Sequence, residues 1–207
     1  ASPPITASCF QRSDFMAVTV NVTPESDTPG HTSLFATGQV SNVSNTWQTV
    51  TLTENYNSMV VVLTPNYNRT SVPLVPRMRV LSENSFEVRV DRTDGLVDSV
   101  PGIDLHYLVV EEGVYTAAEH GVTMEAVTYT STVTDRKSSW SGEFRDYASQ
   151  YNSPVVVGQV TSYNDPGFSS FWARGSSRRN APDSAHLYVG KHVGEDPVTS
   201  RVNEEIG

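Results

Sequence analysis

The sequence predicts an all-β protein built as two tandem antiparallel β-sandwich modules of one repeat family, the second lacking its last strand. Three observations carry this. Tyr56-Asn57-Ser58-Met59-Val60-Val61-Val62 recurs as Tyr151-Asn152-Ser153-Pro154-Val155-Val156-Val157, and self-similarity at a fixed spacing marks a repeated unit. Strand-like runs alternate apolar and polar residues at period two. Pro, Gly, Asn and Asp punctuate those runs at the spacing of a sandwich or barrel.

The elements follow in order. Asp14 to Val22 reads as a spare strand in an N-terminal arm, residues 1–33, and Phe15, Ala17, Thr19 and Asn21 are its candidate assembly positions. The first module is placed at 34–116 and the second at 117–207. In the first, Trp47-Gln48-Thr49-Val50-Thr51-Leu52 and Phe86-Glu87-Val88-Arg89-Val90 alternate as strands with one wet face. Val60 to Leu63 and Val155 to Val157 are continuous apolar runs, which suit central strands covered on both sides. Ile103 to Glu111 is a strand by any β reading. The second module reaches Asn203-Glu204-Glu205-Ile206-Gly207, where the matching strand should begin. A sheet short of a strand exposes unpaired backbone groups, and residues 14–22 are a candidate filler. Ala117-Ala118-Glu119-His120 is the one helix-like pattern.

Composition narrows the function classes. The 207 residues carry 14 Lys+Arg against 23 Asp+Glu, a net charge of -9. Phosphate backbones demand a cationic face, and Arg178-Arg179 is too small to supply one, so nucleic acid is not an expected partner. No apolar run approaches the ~20 residues of a membrane-spanning helix, so membrane insertion is not expected. Few charges, many Ser, Thr, Val and Asn, and lysine only at 137 and 191 suggest an extracellular or cell-surface protein. The single Cys9 can form no internal disulfide; an unpaired thiol and a bond to another chain are both open.

The Trp-x-x-Val-x-Leu pattern at Trp47, ahead of the Tyr-x-x-Met-Val-Val-Val run, resembles the H-type lectin domain. Asn84-Ser85-Phe86-Glu87-Val88 and Tyr107-Leu108-Val109-Val110-Glu111 look like later strands of such repeats. The resemblance covers about residues 36–113 and, less completely, 137–207. It implies an antiparallel sandwich on secreted or cell-surface proteins, often in tandem and in oligomers, with N-acetylgalactosamine-type sugars bound by the lectins proper. That family's sugar-contact motif has no match in this chain, so sugar binding is implied by family alone.

Chemistry-bearing motifs are sparse. Asn21, Asn42 and Asn68 head Asn-x-Ser/Thr sequons and are candidate glycosylation sites. Tyr163, Asn164, Trp172 and Arg174 fall in a loop-rich aromatic stretch that could bind carbohydrate, ring faces packing on a pyranose and amides or Arg binding hydroxyls. Trp47 and Trp140 occupy equivalent repeat positions, which favours a core role for both. The five histidines show no metal-ligand spacing, and no nucleophile elbow or phosphate loop is present, so no catalysis is expected. No cofactor is expected either; calcium alone stays open, because Asp91, Asp94 and Asp98 recur at loop spacing, with Glu195-Asp196 and Glu204-Glu205 as further oxygens. The functional expectation is a non-catalytic structural or adhesive protein, glycosylated and self-assembling by strand addition, with copies of itself and glycans as partners. A carbohydrate-binding module, free or from a polysaccharide-active enzyme, is the alternative.

Overall fold

Alternation in the sequence becomes burial in the structure, a computed structural model that describes residues 34–66, 72–94 and 100–207. The expected donor strand with Phe15, Ala17, Thr19 and Asn21, the sequon at Asn68, Cys9 and Asp98 lie outside the described residues. Residues 33–207 form one compact unit.

Six strands make the first half: β1 (Phe35–Val43), β2 (Gln48–Thr51), β3 (Met59–Pro65), β4 (Leu74–Ser82), β5 (Ser85–Arg92) and β6 (Ile103–Glu111). They form two three-stranded antiparallel sheets, β1-β6-β3 and β2-β5-β4. In β5 the period-two rule is followed residue by residue: Phe86, Val88 and Val90 are fully buried, and Glu87, Arg89 and Asp91 lie on the wetter face. One core joins the sheets. Val43, Val61, Leu63, Leu105 and Val109 come from the first, and Val50, Met78, Phe86, Val88 and Val90 from the second. The unbroken valines of β3 have a reason as well. Val61 faces this core while Val60 packs on the other side with Val110, Tyr115 and Ala126, so both faces of the strand are covered.

The turn entering β3 is held by a carboxylate. Glu111 accepts hydrogen bonds from the amides of Asn57 (2.8 Å) and Ser58 (2.7 Å). The next residue, Glu112, accepts from the Ser58 hydroxyl (2.7 Å) and from the amide (3.1 Å) and hydroxyl (2.9 Å) of Thr128, tying β3 to the second half.

In the second half the strands shorten. β7 (Gly113–Tyr115) and β8 (Met124–Ala126) form a hairpin around helix α1 (Ala117–His120), which Thr116 caps at its start and Gly121 ends at φ 72°. β9 (Tyr129–Ser131), β10 (Thr134–Asp135), β11 (Glu143–Phe144), β12 (Ser170–Arg174), β13 (Tyr188–His192) and β14 (Glu204–Ile206) follow. β13 is the hub, parallel to β10 and antiparallel to β11 and β12. The turn before β11 depends on Asp135, whose carboxylate accepts from Ser139 Oγ (2.7 Å) and the amides of Ser141 (3.0 Å) and Gly142 (3.1 Å). Gly142 sits at φ 59°, where a Cβ would come within 2.7 Å of the Trp172 ring and 2.8 Å of the Val189 carbonyl.

One expectation needs correction. Val155 to Val157 is not a covered central strand: the segment has no strand assignment, and Val155 is 90% and Val157 63% exposed. The physical reason is pairing. The ladder alongside reaches only the Val160–Ile206 bridge and the reciprocal Gln159–Gly207 amide bonds of 2.8 and 3.0 Å. Residues 152–158 make no backbone hydrogen bond to any described residue. Glu204 to Ile206, where the matching strand was expected to begin, is β14, antiparallel to β9.

Phe86→Ala should cost about 3–5 kcal/mol by cavity formation, whereas Val155→Ala should stay within about 0.5 kcal/mol; urea unfolding of the two variants checks both. Glu112 is held below the usual carboxylate range chiefly by the Ser58 hydroxyl, with Thr128 adding to it. The stability it lends is therefore present above the unfolded carboxylate pKa near ~4.3 and lost as pH falls through the folded value. Melting temperature should drop on acidification across that window, and less steeply in Glu112→Gln.

Candidate functional site

Alternation along β4 puts Arg77 on the face that points away from the sandwich core, opposite Met78 and across from Arg89 of β5. Its side chain is fully buried, and a guanidinium there must be satisfied or the fold is penalised. Nη1 donates to the Gly167 carbonyl and Nη2 to the Asp165 carbonyl, both at 3.0 Å. Asp91 and Glu204 carboxylates stand 3.6 Å from Nη1 and Nη2, and the guanidinium lies 4.4 Å over the Tyr163 ring. Burial lowers its pKa, and Asp91 and Glu204 work against that shift.

Each partner is fixed in turn. Glu204, 1% exposed, accepts from the Ser162 hydroxyl and from the amides of Asn164 and Asp165, both at 2.9 Å. Asp165 accepts from the amides of Gly167 and Val202, both at 2.8 Å. Tyr163 meets Trp47 edge-on at 5.0 Å, and Trp47 also lies under Arg79 at 4.7 Å and Arg89 at 5.4 Å. Gln159 donates to the Pro76 carbonyl at 3.3 Å. The segment 159–168 and β14 are thus fastened to β4 of the sandwich-like half.

A second knot lies around β13. Lys191 is fully buried and donates to the carbonyls of Ser131 (2.9 Å) and Val202 (3.3 Å). Burial pushes its ammonium below the ordinary value, while Glu204, Glu143 and Asp165 pull it back up. Trp140 stacks on His192 at 4.1 Å and meets Trp172 edge-on at 5.3 Å.

These knots place the residues expected from sequence. Tyr163 and Asn164 belong to the Arg77 knot, with Asn164 also donating to the Asn203 carbonyl at 2.9 Å. Trp172 is 8% exposed and packs on Trp140. Arg174 donates to the carbonyls of Trp140 (2.7 Å), Gly175 (2.8 Å) and Ser141 (3.0 Å), and lies 3.9 Å over Tyr188. The four therefore divide between two clusters. Trp47 and Trp140 are half-buried in these ring and cation stacks. Asn42 is exposed on β1 at φ 57°, its amide bonded to Asp104 at 3.0 Å.

Two hollows open to solvent. The larger, of about 670 Å³, is lined by Asn45, Arg89, Asp91, Tyr163, Phe168 and Asp196 among others. Among its charged walls Arg89 pairs with Asp91 at 2.7 Å and Arg92 with Asp94 at 2.5 Å, and Asp196 pairs with the neighbouring Arg201 at 2.7 Å. The smaller, of about 380 Å³, is lined by Phe144, Tyr147, Tyr151, Asp146, Gln150 and Asn152 among others. Among the described residues no group of three or more His, Cys, Asp or Glu is arranged to hold a metal ion. Of the acids considered for calcium, Asp91 pairs with Arg89, Glu204 with Arg77, and Glu205 accepts from Thr130.

Sequence reasoning missed Arg77, Glu204 and Lys191 as structural centres. Arg77 shares with Arg79 the face of β4 opposite Met78, and nothing in that alternation marks a buried charge.

Arg77→Ala should destabilise by about 3–5 kcal/mol, because Glu204 stays buried without its cation. Arg77→Met combined with Glu204→Gln should recover part of that loss in urea unfolding; a purely additive double variant would contradict the pairing.

In comparisons with protein-family models, curated proteins and solved structures, nothing matches this chain.

Proposed function

We propose that the chain is a non-catalytic structural or adhesive β protein of the secreted or cell-surface kind that associates with copies of itself through an open sheet edge. The observation that carries this reading is the Val155–Val157 segment. Two of its three valines are largely exposed and none makes a backbone hydrogen bond to a described residue, beside a ladder that already exists. Unpaired strand edges are templates for another strand.

The tandem-module reading draws support from register. An offset of 95 residues carries Tyr56 to Tyr151 and Pro65 to Val160. Pro65 pairs with Leu105 in the first half, and Val160 pairs with Ile206 in the second. The same rung is thus occupied in both, with Ile206 standing for Leu105 and β14 for the start of β6. The non-catalytic reading is supported by the use of charge: the buried ionic groups Arg77, Glu204 and Lys191 serve as struts. Glycosylation at Asn42 fits its exposed position on β1.

A carbohydrate-binding module is the second reading, and one observation favours it. In the smaller hollow Tyr147 and Tyr151 meet at 5.3 Å, and Phe144 is 48% exposed. Beside these rings Asp146, Gln150 and Asn152 make no hydrogen bond to any described residue. Rings with uncommitted polar groups suit a polyol.

Sedimentation velocity of the full chain tests the first reading: the sedimentation coefficient should rise with concentration, and a concentration-independent monomer contradicts it. Calorimetric titration with galactose-, glucose- and uronate-type polymers tests the second. Binding should be lost in Tyr151→Ala with the melting temperature retained, and flat titrations with the unaltered chain contradict it.

A further inference from the structure

We infer that the smaller hollow takes a pyranose carrying a free amino group, the unit of a glucosamine polymer, through its rings and the uncompensated carboxylates of Asp146 and Glu125. The inference rests on the carbohydrate-binding reading and names the class of sugar.

One short stretch of chain supplies most of the hollow. Phe144 ends β11, and Tyr147, Gln150, Tyr151 and Asn152 follow it closely. Phe144 stands edge-on to Tyr188 at 5.4 Å, and Tyr147 and Tyr151 meet at 5.3 Å and 65°. The rings of Phe144, Tyr147 and Tyr151 thus line a space of about 380 Å³, within the ordinary range for a small-molecule cleft.

The charges around this space do not cancel. Asp146 lines it and has no hydrogen-bond or ionic partner among the described residues. Glu125, on β8, accepts from the Ala148 amide at 2.7 Å and pairs with no described cation. Asp183 meets the His186 ring at 2.9 Å, beside Ser184 and Ala185 of the wall. The arginine of the wall is committed: Arg145 reaches Glu143 at 3.2 Å and lies 3.9 Å over the Tyr129 ring. The tyrosines register the resulting field. Burial pushes the Tyr147 and Tyr151 phenols above their ordinary value, and Glu125 adds to the rise in both, with Asp183 ahead of it at Tyr147.

That combination selects among sugars. A ring face is negative and attracts an ammonium group, and the same face packs against the apolar face of a pyranose. Asp146 and Glu125 add a second attraction for a cation, and they repel the carboxylate of a uronate. An N-acetyl group would forfeit both gains by removing the charge. Gln150 and Asn152, which make no hydrogen bond to any described residue, remain for the hydroxyls.

Calorimetric titration of the full chain tests this with three probes in one buffer that protonates the amine: a glucosamine hexamer, an N-acetylglucosamine hexamer and a neutral glucose hexamer. The glucosamine hexamer should bind at least about tenfold more tightly than the other two. Asp146→Asn and Glu125→Gln, the latter keeping an acceptor for the Ala148 amide, should each lower that ratio by about threefold. The melting temperature and the affinity for the glucose hexamer should not change. A net charge of -9 attracts any polycation, so tetralysine serves as the probe of charge alone and should bind at least about tenfold more weakly than the glucosamine hexamer. Absence of binding by all three sugars sinks both the carbohydrate reading and this inference. Equal binding of the three leaves that reading standing and overturns the amino-sugar preference. Tetralysine that binds as tightly as the glucosamine hexamer overturns the sugar as the occupant, and a ratio unmoved by both substitutions overturns the hollow as its place.

Discussion

A guanidinium with no exposed surface governs how the molecule is put together. Arg77 stands on the face of β4 that the second half covers, and burying its charge without partners would cost several kcal/mol. The chain meets the cost with parts of the second half: two carbonyls from the 165–167 turn, the Glu204 carboxylate and the face of Tyr163. Each of these is useful only if it arrives in a defined place. Glu204 can do so because Ser162, Asn164 and Asp165 hold it, and Asp165 because Val202 and Gly167 hold it. One arginine thus sets the course of residues 159–168 and of β14, and joins them to the sheet β2-β5-β4.

The second half also leaves apolar side chains in the open. Pinning Glu204 starts β14 against β9 and against Val160, and the ladder then runs along Gln159 and Gly207 toward the valines. Hydrophobic, unpaired sheet edge is what proteins normally blunt with charge, proline or cover. Here Pro154 precedes the edge, but Val155 and Val157 remain uncovered, and no charged side chain occurs between Gln150 and Tyr163. Exposed apolar side chains of that kind suit contact with another chain.

Much of the fold was legible because it depends on local periodicity. β5 alternates in sequence and in burial, the continuous valines of β3 are covered on both sides, and even the four residues of α1 stand where Ala117 to His120 suggested. The sequon at Asn42 fell on an exposed residue. What failed depended on partners distant in sequence. Val155 to Val157 has almost the composition of Val60 to Val62, yet a strand exists only where another strand lies beside it. Glu204 and Asp91 read as loop acids because nothing nearby in sequence announces Arg77. Trp172 and Arg174 looked like tools for a ligand, and each is engaged by residues about thirty positions away.

The central claim is that the buried ionic struts make the sandwich-like half and the second half one cooperative structure. Native-state hydrogen exchange across a urea series measures this most directly, following amides in β5 and in β13. Exchange free energies for the two strands should converge on a single global unfolding isotherm, because opening one half strands Arg77 or Glu204 without its partner. Exchange of β13 through a separate opening well below the free energy of β5 would contradict the account.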